Sequence, residues 1–293
     1  MKIDSHTAGA WASLAAEAGK RWISDGAASM GAALAFYTLF SMAPLLLLVI
    51  SIAGIAIGSD TARDLLMNQL TGLMGEQGAD TVRSVLEKAN QKSEGIWSAV
   101  VSIATLVLGA SSVFAELRRD LDKIWNFEAP KTSGLWNFFF SHLLSVGMIA
   151  TIGLLLLVSL VVSATVSAVG HSWMGGFPGS AFVLRALEFA GSFVVITGLF
   201  AMIFKVLPSV RIAWSDVWVG AAVTSLLFWI GKVLIGIYIG KSAVASPFGA
   251  AGTLVVVIVW VYYSAQIFFL GAEFTRAYAV SHGSRMGSAQ GKD

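Results

Sequence analysis

The chain has 293 residues, 56% of them apolar and only 12% charged, where a soluble domain carries about 25% charged residues. It has no cysteine, a formal charge of +2 and a mean hydropathy of +0.77. These values exclude a disulfide framework, a thiolate metal site and a nucleic-acid binder with a strong basic field. What they leave is an all-α polytopic membrane protein, in which the position of each charge matters more than the total.

Residues 1–29 are expected to form a cytoplasmic amphipathic segment. Trp11, Leu14, Ala15, Ala18 and Trp22 fall at helical spacing over residues 8–25, with Lys20 and Arg21 beside them, the pattern of a helix lying in the membrane interface. The segment does not read as a cleavable signal peptide, because the apolar run that follows starts late and is too long.

That run, residues 30–58, contains no formal charge and exceeds the roughly 20 residues a spanning helix needs. Tyr37, Ser41 and Pro44 share one face at i, i+4 and i+7. Pro44 has no N–H, so the carbonyl of Phe40 loses its helical partner and a bend is expected, with Ser41 covering part of the deficit. The bend serves either packing or the lining of a cavity. Residues 59–95 are polar but patterned. Leu65, Leu66, Leu70, Leu73 and Met74 mark one amphipathic helix, and Val82, Val85, Leu86 and Ala89 mark a second. Gly75 and Gly78 mark the turn between them, which predicts an extracytoplasmic helical hairpin between spans one and two.

The second span is expected at residues 96–115. Its apolar stripe continues through Phe114, Leu117, Leu121, Ile124 and Trp125. Glu116, Arg118, Arg119, Asp120, Asp122 and Lys123 fill the other face, with Arg118 and Asp122 spaced for contact. The third span, residues 138–169, carries Ser159, Ser163 and Ser167 on one face, suited either to close helix packing or to a solvated wall. After a Gly/Pro break at 170–180 comes the fourth span, 181–207. A tight basic turn over 208–215 leads to the fifth, 216–240, with Ser215 as a candidate N-cap. The sixth is 249–272. The six spans lie within a transmembrane domain of residues 30–280, and residues 281–293 read as a disordered cytoplasmic tail. Twelve of the nineteen Lys and Arg residues fall in the two terminal segments and the 2–3 and 4–5 connections. This predicts that both termini are cytoplasmic.

An ionisable residue inside a span is a functional candidate, and Lys232 is the clear case. It stands 16 residues after Asp216, about 24 Å up the fifth span at helical rise. It either snorkels to outer headgroups or faces a cavity and meets an anionic substrate such as a lipid phosphate. Nearby Gly236 and Gly240 match a small-xxx-small packing pattern. Near the end of span six, Glu273 is expected to pair with Arg276 or with an arginine of the 2–3 connection, and Gln266 to find a partner on another helix. No catalytic set is visible: His6, His142, His171 and His282 are scattered, and no acidic pair sits within the spans. Gly240-Lys241-Ser242 lacks the glycine a phosphate loop needs at 235. The reading is therefore not an enzyme, with no cofactor and no metal.

Four segments carry a resemblance: ALAFYTLFSMAPLLLLVISIAGIAIG (33–58), GASSVFAELRRDLDKIWN (109–126), LPSVRIAWSDVWVGA (207–221) and FGAAGTLVVVIVWVYYSAQIFFLGAEFTRAYA (248–279). In this order they resemble the YihY/BrkB family of bacterial inner-membrane proteins, over roughly residues 15–280. The resemblance implies six spans with cytoplasmic termini, and a link to virulence and to export of envelope lipids or lipopolysaccharide precursors. Members have also been labelled ribonuclease BN, which these residues do not support. Phe248 stands where relatives often have tyrosine. Two functions follow as expectations. One is a transporter or flippase-like protein for an anionic lipid or lipid-linked envelope precursor, with a path past Lys232, Tyr37, Ser41, Pro44, Ser159, Ser163, Ser167 and Gln266. The other is a non-transporting scaffold or partner subunit of an envelope machine, a tightly packed bundle with its working surface on the cytoplasmic 2–3 helix or the external hairpin. Glu116, Arg118, Arg119, Glu273 and Arg276 are expected as structural or gating ion pairs. The expected partners are membrane lipids, another copy of the chain or an envelope protein, and no nucleic acid.

Overall fold

The computed structural model describes residues 8–90, 112–127, 180–241 and 252–285, and these are mostly helical, with no strand among them. Seven helices follow in order: α1 (Ala8–Ser24), α2 (Ala27–Ile57), α3 (Ser59–Asn90), α4 (residues 112–124), α5 (Ser180–Val206), α6 (Trp214–Lys241) and α7 (Gly252–Ser281). Nearly all of the predicted second span, the third span with Ser159, Ser163 and Ser167, and the 242–248 loop lie outside the described residues.

Two glycines set the first turns. Gly26 separates α1 from α2 at φ 76° and Gly58 separates α2 from α3 at φ 86°, backbone conformations that side chains bearing a Cβ rarely adopt. The helical run of α2 continues through Pro44. Ser41 is buried, and its hydroxyl donates to Thr38 O at 3.2 Å rather than to Phe40.

The α3 run doubles back on itself. Arg63 Nη2 lies 3.6 Å from Glu87 Oε1, although 24 residues of straight helix would hold their Cα atoms about 36 Å apart. Met67, Val82 and Leu86 share one buried cluster with Met42, Leu46 and Ile50 of α2 and Trp260 of α7. The Arg63–Glu87 pairing brackets Gly75 and Gly78, and the two arms of the predicted hairpin lie against each other. The hairpin's apolar face covers the distal half of α2.

The main core gathers at the opposite end. Leu121 and Ile124 of α4, with Trp125 just past its end, meet Phe204 of α5, Val217 of α6, and Phe268 and Phe269 of α7. The stripe predicted beyond span two is thus core. So is the predicted face of α1: Leu14 and Ala18 pack on Phe274 and Ala277, and Trp11 stacks on Phe274 and Tyr278. That helix is docked on α7.

Phe189–Val206, Trp214–Tyr238 and Leu254–Ser281 are long and apolar enough to cross a membrane. Their outward positions remain apolar: Val194, Leu226, Ile230, Leu234, Ile237 and Leu254 are exposed. A surface of this kind is costly in water and neutral against lipid tails. The helix that holds Glu273 runs on to Ser281, nine residues past the predicted end of the sixth span, because helical hydrogen bonding does not stop where apolar composition does.

Candidate functional site

Lys232 projects from the apolar length of α6 toward the hairpin. Its Nζ donates to Gly72 O at 3.1 Å, and this is its one hydrogen bond among the described residues. Gly72 lies three residues before Gly75 in the α3 run, so the lysine ties α6 to the hairpin. An ammonium has three donors, so this contact leaves two for another acceptor. Among the described residues nothing lies within 4 Å of a Cβ built on Gly236, one turn further, so no described helix packs on that glycine of the predicted Gly236/Gly240 pattern.

Gln266 finds the interhelical partner expected of it. Its Nε2 donates to Ala27 O at 3.1 Å across the α7–α2 contact, and its own backbone carbonyl accepts from Trp22 Nε1 at 3.2 Å. Gly31 leaves the space for this side chain. Tyr37 and Ser41 lie further along α2, half-buried and buried respectively. Lys232 belongs to the separate hairpin contact, and the structure does not bring these candidates into one cluster. Among the described residues the expected pairing of Glu273 with Arg276 or an arginine of the 2–3 connection does not form: Glu273 is 1% exposed, and neither of its carboxylate oxygens meets a hydrogen-bond donor there. The carboxyl that faces it is Asp25, from the α1–α2 turn.

The charges of α4 are only partly solvated. Arg119 pairs with Glu116 one turn away. Asp122 is 7% exposed and accepts from Ser209 N at 2.7 Å and Ser209 Oγ at 2.8 Å. Arg118 Nη2 donates to the same Oγ at 3.1 Å. Arg118 and Asp122 therefore meet through Ser209 rather than directly, and together they clamp the 207–213 turn. Ser215 lies inside α6, which starts at Trp214. The carboxylate that holds this end is Asp216, which accepts from Ser284 N at 2.9 Å and Ser284 Oγ at 2.7 Å.

Asp120, beyond the predicted second span, is also 7% exposed, and its Oδ2 meets no donor among the described residues. Burial, with Glu116 nearby, pushes its carboxyl up to about 7, against the pull of Arg119 and Lys123. The folded state thus favours the neutral form. Stability from this group is complete below the unfolded value of about 3.9 and is lost as pH rises toward 7. Asp120→Asn is expected to match the wild type near pH 4 and to exceed it by a few °C in Tm at pH 8, measured by thermal unfolding across that range.

The sequence reasoning missed Asp25 and the shared Gly/Thr contact of α6 with α7. At that contact a methyl on Gly220 would overlap Thr275, and one on Gly271 would overlap Thr224. The available signal was G-x-x-x-T at 220–224 and again at 271–275.

A family profile described as virulence factor BrkB matches residues 18–292. UPF0761 membrane proteins are similar: that of Albidiferax ferrireducens is 26% identical over 265 residues, 89% of this chain and 61% of the relative. That of Alcanivorax borkumensis is 24% identical over 87% of this chain and 58% of the relative. A third, from Pseudoalteromonas translucida, is 25% identical over 83% and 78%. The chain therefore spans about three fifths of the length of the first two relatives. No solved structure matches it.

Proposed function

Since the chain belongs to the family described as virulence factor BrkB, we propose that it is a bacterial inner-membrane protein, both termini cytoplasmic, that engages an anionic amphiphile by its headgroup and passes it between leaflets. The substrate class is a phospholipid or a lipid-linked envelope precursor, moved without chemical conversion. The observation that carries this reading is Lys232. It is a half-buried cation on an otherwise apolar stretch, bonded to a single neutral carbonyl at the tip of a hairpin. A phosphate oxygen competes well for such a donor, because its negative charge adds a Coulomb attraction that a neutral carbonyl lacks. Exchange of Gly72 O for a headgroup would also release the hairpin tip from α6.

A second reading, a membrane scaffold for an envelope partner or another copy of the chain, is favoured by the dense packing of the α4 end and by the Asp122–Ser209 clamp. Native mass spectrometry of gently extracted protein separates the two. The transport reading expects a defined anionic lipid on the wild type that is lost in Lys232→Ala. The scaffold reading expects the same bulk lipid mixture on both.

A further inference from the structure

We propose that the Asp25 and Glu273 carboxyl groups together bind one monovalent cation, a proton or a sodium ion, where the α1–α2 turn meets α7. Glu273 is 1% exposed, and Oε1, Oε2 and Asp25 Oδ2 are buried without a hydrogen-bond donor among the described residues. The two carboxyl groups stand within hydrogen-bonding range of each other. Carboxylates are acceptors only, so two of them face to face leave a place that a cation fills.

The surrounding charges fit a single positive charge. Arg276 on α7 is buried nearby, and Arg21 on α1 is also near but is engaged with Glu17 at 3.0 Å. From α4, Lys123 Nζ donates to the backbone O of Asp25 at 2.6 Å, but Lys123 is exposed and its charge is screened by water. Asp25, Glu273 and Arg276 alone leave one uncompensated negative charge in a buried place, which is costly. One monovalent cation brings the group to neutrality. Access runs through Asp25, which is half-buried and whose Oδ1 accepts from Ser24 Oγ at 3.3 Å on the exposed side. This inference does not rest on the role proposed for Lys232.

The test is thermal unfolding of the full-length protein in nanodiscs, wild type against Glu273→Gln, whose amide supplies the missing donor. Subtracting the variant's Tm at each pH removes the contribution of Asp120, which is common to both. If the cation is a proton, the difference falls by about 2 °C per pH unit while the folded pair still holds it, with sodium and choline giving the same curve. If it is sodium, sodium in place of choline at pH 8 raises the wild-type Tm saturably and leaves the variant unmoved. A difference flat in both pH and sodium overturns the proposal. Asp25→Asn provides the same comparison should Glu273→Gln fail to fold.

Discussion

Gly271→Val is expected to abolish the folded protein or lower its stability by about 3 kcal/mol, the upper part of the usual overpacking range. Two reciprocal contacts cause this. Gly271 leaves room for Thr224 of α6, and Gly220 leaves room for Thr275 of α7. Each threonine hydroxyl donates at 2.7 Å to the carbonyl four residues back, Thr224 to Gly220 O and Thr275 to Gly271 O. This bond holds the rotamer that fills the opposing gap, and β-branched side chains have few others. The helices must therefore separate if either glycine gains bulk. Small residues at such contacts allow the close approach that drives association in lipid. Gly236→Val is the control: open space surrounds it, and its cost should stay near about 0.5 kcal/mol. Combining Thr224→Ala with Gly271→Ala should recover much of what Gly271→Ala alone loses, because the two changes share one contact. Thermal unfolding in detergent or nanodiscs reads all of these.

Asp122→Ala is expected to cost about 2–3 kcal/mol, as suits a buried charged acceptor whose donors are left behind. The variant strips Ser209 N–H and Oγ of their acceptor and leaves Arg118 with only that hydroxyl. The 207–213 turn also contributes Val210 and Ile212 to the main core, so loosening it exposes apolar surface as well. Asp122→Asn keeps an acceptor for Ser209 N and should lose less than half as much. Ser209→Ala keeps the backbone contact and should lose about 1 kcal/mol. An equal loss in all three variants would mean that the turn is held by its apolar residues alone.

Helices were legible where composition and periodicity agreed. The expected 30–58, 181–207 and 216–240 lie within three residues of Ala27–Ile57, Ser180–Val206 and Trp214–Lys241. The hairpin was readable because Leu70 and Leu86 lie on faces separated by glycines, and the α4 stripe because Leu117, Leu121 and Ile124 repeat at helical spacing. Individual polar partners were not legible. Glu273 and Arg276 are three residues apart on one helix, so spacing suggested a pair, whereas the carboxyl that meets Glu273 comes from Asp25, 248 positions away in the chain. Asp122 looked solvated beside five other charged residues, because the 207–213 turn that buries it contributes no periodic signal. Gly236/Gly240 and Gly220/Thr224 are equivalent as patterns. Only the docking of α7 distinguishes them.

The central claim is that Lys232 receives an anionic headgroup on its way between leaflets. The direct measurement is translocation of a fluorescent phosphatidylglycerol in proteoliposomes, with phosphatidylcholine as the neutral comparison, for wild type and Lys232→Ala at equal reconstitution. The account predicts that wild type moves the anionic lipid faster than protein-free vesicles do, and that the variant falls to near the vesicle rate. Wild type indistinguishable from empty vesicles, or a variant as fast as wild type, would contradict it.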